Sequence, residues 1–89
     1  MTEDMEHCFL CGRSGPVQIH HIIYGTANRK KSDRLKLVCP LCMDCHTGSN
    51  GVHQNRKKDL QLKILAQMKF EKEIGTREQF RDIFGKSYL

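Results

Sequence analysis

Leu41-Cys42-Met43-Asp44-Cys45-His46 decides how this chain is read, because it joins a cysteine pair of metal-knuckle spacing directly to a histidine. A matching pair, Cys8-Phe9-Leu10-Cys11, lies near the start. Two sulfurs two residues apart sit at the bite of a tetrahedral ion, and two such pairs complete four thiolate ligands. Cys8, Cys11, Cys42 and Cys45 are therefore expected to hold one structural zinc. Cys39 forms an overlapping pair with Cys42, which leaves it an alternative ligand. The preferred assignment makes Cys39 a small buried thiol. A chain of 89 residues buries only a modest core, so such a staple is expected.

Working outward, the five cysteines are an odd number, and the chain opens without an apolar signal segment. Both features favour metal binding in a reducing compartment over a disulfide framework. No apolar run approaches the roughly 20 residues that span a bilayer. A soluble cytoplasmic protein with no membrane partner is expected. The net charge of +5 is concentrated. Between residues 29 and 58, Arg29, Lys30, Lys31, Arg34, Lys36, Arg56, Lys57 and Lys58 stand against Asp33 and Asp44 alone. Positive charge around a histidine-rich segment points to a polyanion, and nucleic acid is the commonest one.

The pattern along the chain is α+β, in a single domain over residues 1–89. Residues 1–7 read as a frayed acidic start. Val17-Gln18-Ile19-His20 alternates apolar and polar, as a short strand does. Residues 24–34 are polar and basic and read as a loop, and Leu35-Lys36-Leu37-Val38 reads as a second strand. Thr47-Gly48-Ser49-Asn50-Gly51 must turn. Leu60, Leu62, Ile64, Leu65, Met68 and Ile74 then predict a helix over 52–74, with a wide apolar stripe to bury. Gly75 ends it. Thr76-Arg77-Glu78-Gln79 has capping-box spacing and opens a packing helix over 76–85, with Phe80, Ile83 and Phe84 on one face. The core spans 8–74.

Five histidines are many for this length. Neighbouring strand residues point to opposite faces, so His20 and His21 are not expected to bind one ion together. One suits a metal and the other a substrate, since neutral imidazole is a ligand and its pKa near 6.5 lets it accept a proton.

His20-His21-Ile22, a basic loop, a second strand and Leu41-Cys42-x-x-Cys45-His46 resemble the HNH endonucleases, the ββα-metal or His-Me finger superfamily. Gly51-Val52-His53 with Asn55, and the ending Phe84-Gly85-Lys86-Ser87-Tyr88-Leu89, look like small HNH proteins of phages and prophages. The resemblance implies a zinc-stapled ββα-metal core with an added C-terminal helix, acting as an endonuclease or nickase on DNA in a bacterial host cell. It implies His20 as ligand of a catalytic Mg²⁺, Mn²⁺ or other divalent ion, and His21 as general base. His46 and His53 are expected to complete the ligand set, with Asn50 as the substitute and His53 on the first turn of the long helix. The bracing asparagine of the family has no obvious counterpart. Asn28 stands earlier than the pattern and Asp33 closer to it. Arg29, Lys30, Lys31, Arg34, Arg56, Lys57 and Lys58 are the expected grips on DNA phosphates, which carry little sequence information. The rival expectations are a catalytically degenerate zinc-stapled DNA-binding protein and a zinc protein-interaction module.

Overall fold

Val17 and Ile19 favour extended backbone, and the computed structural model, which describes residues 4–24 and 28–89, places strand β1 at Gln18–His21. Strand β2 is Val38–Leu41, antiparallel to β1, with His20 opposite Cys39 and Gln18 opposite Leu41. The expected second strand over 35–38 thus lies three residues too early. Pro40, which has no N–H to give, argues against a strand. Here its carbonyl instead accepts from the Phe9 amide at 2.8 Å, which fastens the first cysteine knuckle alongside β2.

The region read as a loop over 24–34 contains helix α1, Asn28–Arg34; residues 25–27 lie outside the described ones. Its sequence shows no apolar periodicity, so the helix is held by what it touches rather than by pattern. Buried Ser32 donates to the Ile23 carbonyl at 2.6 Å, and Lys31 Nζ donates to the Ile83 carbonyl at 2.6 Å. Residues 35–37 then turn back towards β2, with Lys36 at a φ of 58° and the Leu37 amide on the Ser32 carbonyl. The acidic start is tied rather than frayed from Asp4 on: Asp4 takes His7 Nδ1 at 2.8 Å, and His7 bridges Ser14. Residues 1–3 lie outside the described part.

Helix α2 is one turn, Met43–His46, and had no counterpart in the sequence reading. The long helix α3 runs Arg56–Glu73, four residues later than expected. Asn55 sets its start by accepting the amides of Lys57 and Lys58. His53 therefore lies in the turn before α3, not on it. The buried face of α3 is Asp59, Leu62, Ala66, Gln67 and Phe70. Leu60, Leu65, Met68 and Ile74, expected in the core, are exposed. Helix α4, Arg77–Phe84, begins with the expected capping box at Thr76 and Gln79, and Gly85 follows at a φ of 86°. Phe80 stacks edge-on against Phe70, with ring centroids 5.3 Å apart, and beside Phe84. The C-terminal segment is pinned to α3 through buried Gln67, which accepts the Tyr88 amide and donates to Ser87 Oγ. No helix of the described residues is long and apolar enough to cross a membrane.

Candidate metal centres

Two knuckles meet at the end of the hairpin. In the first, Gly12 returns its amide to the Cys8 carbonyl at a φ of 76°. In the second, Cys42 directly follows β2 and stands at the N-cap position of α2, so that Cys45 follows one turn later. The sulfurs of Cys8, Cys11, Cys42 and Cys45 lie within 4.8 Å of one another, and those of Cys11 and Cys42 are 3.7 Å apart. Ligand sulfurs about 2.3 Å from a tetrahedral ion stand about 3.8 Å from each other, so this group could hold one metal ion. A disulfide needs about 2.05 Å, and all five thiols are free.

The thiols differ in how they are held. Burial opposes ionisation of Cys8, but the amides of Cys42, Cys11 and Leu10 point at its sulfur and outweigh it, lowering its pKa to about 6. Burial and the neighbouring thiols push Cys45 far up, so its own thiolate is favoured only beside a cation. Cys39 is outside the group: it is fully buried, and burial raises it to about 12.

The second group hangs on the same turn. His46 is the last residue of α2, directly after Cys45. Behind it the chain folds back tightly enough that the Val52 amide meets the Cys45 carbonyl and the His53 amide meets the His46 carbonyl. Gly48 and Gly51 permit this approach, since a Cβ on either would come within 2.8 Å of α2 backbone atoms. The fold-back sets His53 beside His46, and β1 brings in His20. The ring nitrogens of His20, His46 and His53 lie within 4.8 Å of one another, with Nε2 of His46 and His53 3.0 Å apart.

The proton inventory fits a cation here. Gln18 Oε1 can only accept, so His46 Nδ1 carries the proton and its Nε2 presents a lone pair. Fixing the ligand's tautomer through its other nitrogen is the usual outer-shell arrangement at metal sites. His20 is 2 % exposed, and its Nε2 is buried with no hydrogen-bond partner. Burial, followed by the proximity of His46 and His53, lowers the His20 pKa to about 4, and burial also lowers His46. The His20 and His46 rings are thus disposed to be neutral ligands. Asn50 is not drawn in: its side-chain oxygen accepts from Asn55 Nδ2 at 2.9 Å.

The histidines open into a cleft of about 890 Å³ lined also by Ile19, His21, Tyr24, Arg29, Lys30 and Asp33. His21 stays outside the ligand group, and its Nε2 lies 3.7 Å from Asp33 Oδ1. Asn28 is not among the cleft residues. Of the expected phosphate grips, Arg29 and Lys30 line the cleft. Lys31 is tied to the end of α4, and Lys58 Nζ donates to the Asn50 carbonyl at 2.8 Å. Arg34, Arg56 and Lys57 are exposed and away from the cleft lining.

Two residues of the site were missed in sequence. Gln18 shares a strand face with His20 two residues on, a signal that could have been used. Tyr24 had no such signal. No protein-family model, curated protein or solved structure matches this chain.

Proposed function

We propose that this chain is an HNH-type, metal-dependent DNA endonuclease or nickase of low sequence specificity, working in phage DNA processing or recombination in the bacterial cytoplasm. The observation that carries the reading is the convergence of His20, His46 and His53 on one point of a cleft that His21 also lines without joining them. Zinc is our assignment for the four thiolates, given their spacing. Mg²⁺, Mn²⁺ or another divalent ion is our assignment for the histidines. A divalent ion there supplies charge neutralisation on a phosphate and on its departing oxygen. His21 takes the proton of the attacking water, with the Asp33 carboxylate 3.7 Å from its Nε2. Arg29 and Lys30 hold the phosphate backbone across the cleft mouth. Ile19 and the Tyr24 ring narrow the cleft beside the histidines.

Supercoiled plasmid incubated with the protein and Mg²⁺, Mn²⁺ or Ni²⁺ tests this. The expected result is nicking that falls about 100-fold or more in His21→Ala, while DNA binding persists. DNA binding without nicking in any of the three ions would leave a DNA-binding protein with a degenerate core. No binding even at low salt, where phosphate contacts are strongest, would remove nucleic acid as the partner.

A further inference from the structure

Behind the histidines lies an ion pair that the proposed chemistry does not use. Asp59, on the first turn of α3, is 8 % exposed. Its Oδ2 accepts from Lys63 Nζ at 2.8 Å and from the Tyr24 hydroxyl at 3.2 Å. Its Oδ1 is buried with no hydrogen-bond partner. Lys63 Nζ also sits 4.2 Å over the Tyr24 ring. That ring lies 5.6 Å from His53 and 6.2 Å from His20, centroid to centroid. Taking two charges out of water is costly, and a well-packed apolar pair often stabilises as much, so a buried ion pair is a poor device for stability alone. This one is placed where a tyrosine connects it to two ligands of a cation.

We propose that Asp59 is a positioning residue for the histidine metal site: through Tyr24 it holds the His20 and His53 rings in ligand geometry, and its charge favours a cation between them. The inference rests on the reading of His20, His46 and His53 as metal ligands. The tyrosine hydroxyl has one carboxylate to donate to, which fixes the ring plane against the two imidazoles. The field of a carboxylate held one ring behind the two imidazoles favours positive charge beside them. Outer-shell partners bonded directly to a ligand are typically worth about 10- to 100-fold in metal affinity, and Asp59, one ring further out, is expected at the lower end of that range. Lys63 keeps the buried carboxylate paired and so opposes part of that field.

The two partners of the ion pair therefore have opposite expected effects. A structural brace would lose metal affinity whichever partner is removed. A charge that serves the cation loses it only with Asp59. Ni²⁺ titrated by calorimetry into protein whose thiolate site holds zinc gives the readout, with zinc content and far-ultraviolet circular dichroism as checks on the fold. Asp59→Asn is expected to weaken Ni²⁺ binding about tenfold or more. Tyr24→Phe, which keeps the ring and loses the hydroxyl, is expected to weaken it about fivefold, the worth of one hydrogen bond. Lys63→Met is expected to leave it unchanged or tighter, despite a lower melting temperature. Affinities within twofold of wild type in both Asp59→Asn and Tyr24→Phe, or an equal loss in Lys63→Met, overturn the inference. Should Asp59→Asn fail to fold, Tyr24→Phe and Lys63→Met decide it alone. Wild-type protein that takes up no Ni²⁺, or a His46→Ala variant that binds it as wild type does, overturns the metal-site reading and this inference together.

Discussion

The thiolate cluster and the histidine cluster share one turn of chain, yet they are built in opposite ways. Cys45 and His46 are neighbours on α2. The thiolates close on themselves, with two loops of backbone wrapped around them and amides aimed at the Cys8 sulfur. The histidines face a cleft and draw their support from side chains: Gln18 behind His46, and Tyr24 beside His20 and His53. A site held by backbone has nothing left to exchange and serves the fold. A site held by side chains around an opening keeps a face for a substrate.

The largest expected effect comes from breaking the closed site. The first knuckle meets the second through the Phe9 amide on Pro40, the pair Arg13–Asp44 and the converging sulfurs, which a metal ion would join further. Structural zinc contributes on the order of 10 kcal/mol to the folding of small domains. If the thiolates hold zinc as proposed, a Cys8→Ser/Cys45→Ser double variant should lose that metal and its cooperative thermal transition together. Metal analysis after dialysis and a melt followed by circular dichroism check both. His46→Ala, one residue away, should keep that zinc and a cooperative melt. If both variants unfold alike, the two sites are not separate in function.

Next in size is the link between them. Gly51 lets the turn press on α2, where an added Cβ would lie 2.8 Å from the Asp44 oxygen and the His46 carbonyl. Gly51→Ala should cost about 2 kcal/mol, as overpacked sites do. Because the turn must swing away, His53 leaves His46. Divalent-ion affinity at the histidines should drop while the thiolate zinc stays, a split that calorimetry and metal analysis read separately.

These glycines also mark the limit of what was legible in sequence. The cysteine pairs were legible because ligand spacing follows from local chain geometry, and strand alternation separated His20 from His21, whereas the grouping of His20 with His46 and His53 came only with the resemblance to HNH endonucleases. The packing helix was legible because Thr76 and Gln79 form a local capping box. What failed was decided by contacts distant in sequence. Helix α1 has no apolar face and depends on Ile23 and Ile83. Strand β2 runs through Pro40 because its carbonyl finds Phe9. The stripe of α3 was drawn too wide because its buried face includes polar Asp59 and Gln67, while leucines at 60 and 65 face solvent. Asp59 and Tyr24 are 35 residues apart and meet only in the fold.

Acid acts on the open site through His20. Burial, then the neighbouring histidines, lowers His20 from 6.5 to about 4, so between those values the unfolded chain binds the proton and the folded one does not. Stability is therefore complete above pH 6.5 and falls as the pH drops towards 4, by up to about 3 kcal/mol if no ion occupies the histidines. Chemical denaturation of zinc-loaded protein between pH 7.5 and 4.5 measures the slope. His20→Leu should flatten it, and an unchanged slope in that variant would place the acid sensitivity elsewhere.

The smallest expected effect is at the Arg13–Asp44 ion pair, which spans the two knuckles. Arg13 donates to Asp44 at 3.1 Å, with both side chains more than 60 % exposed. Solvent screens such a pair, and ordering two long side chains offsets most of what attraction remains. If the ion joins the knuckles, as four converging sulfurs imply, the salt bridge adds nothing that a melt can detect. Arg13→Ala should then leave both the melting temperature and the zinc content unchanged. A clear fall in either would mean that the junction relies on surface charge, and the division between a closed structural site and an open reactive one would weaken from the side on which it now looks firmest.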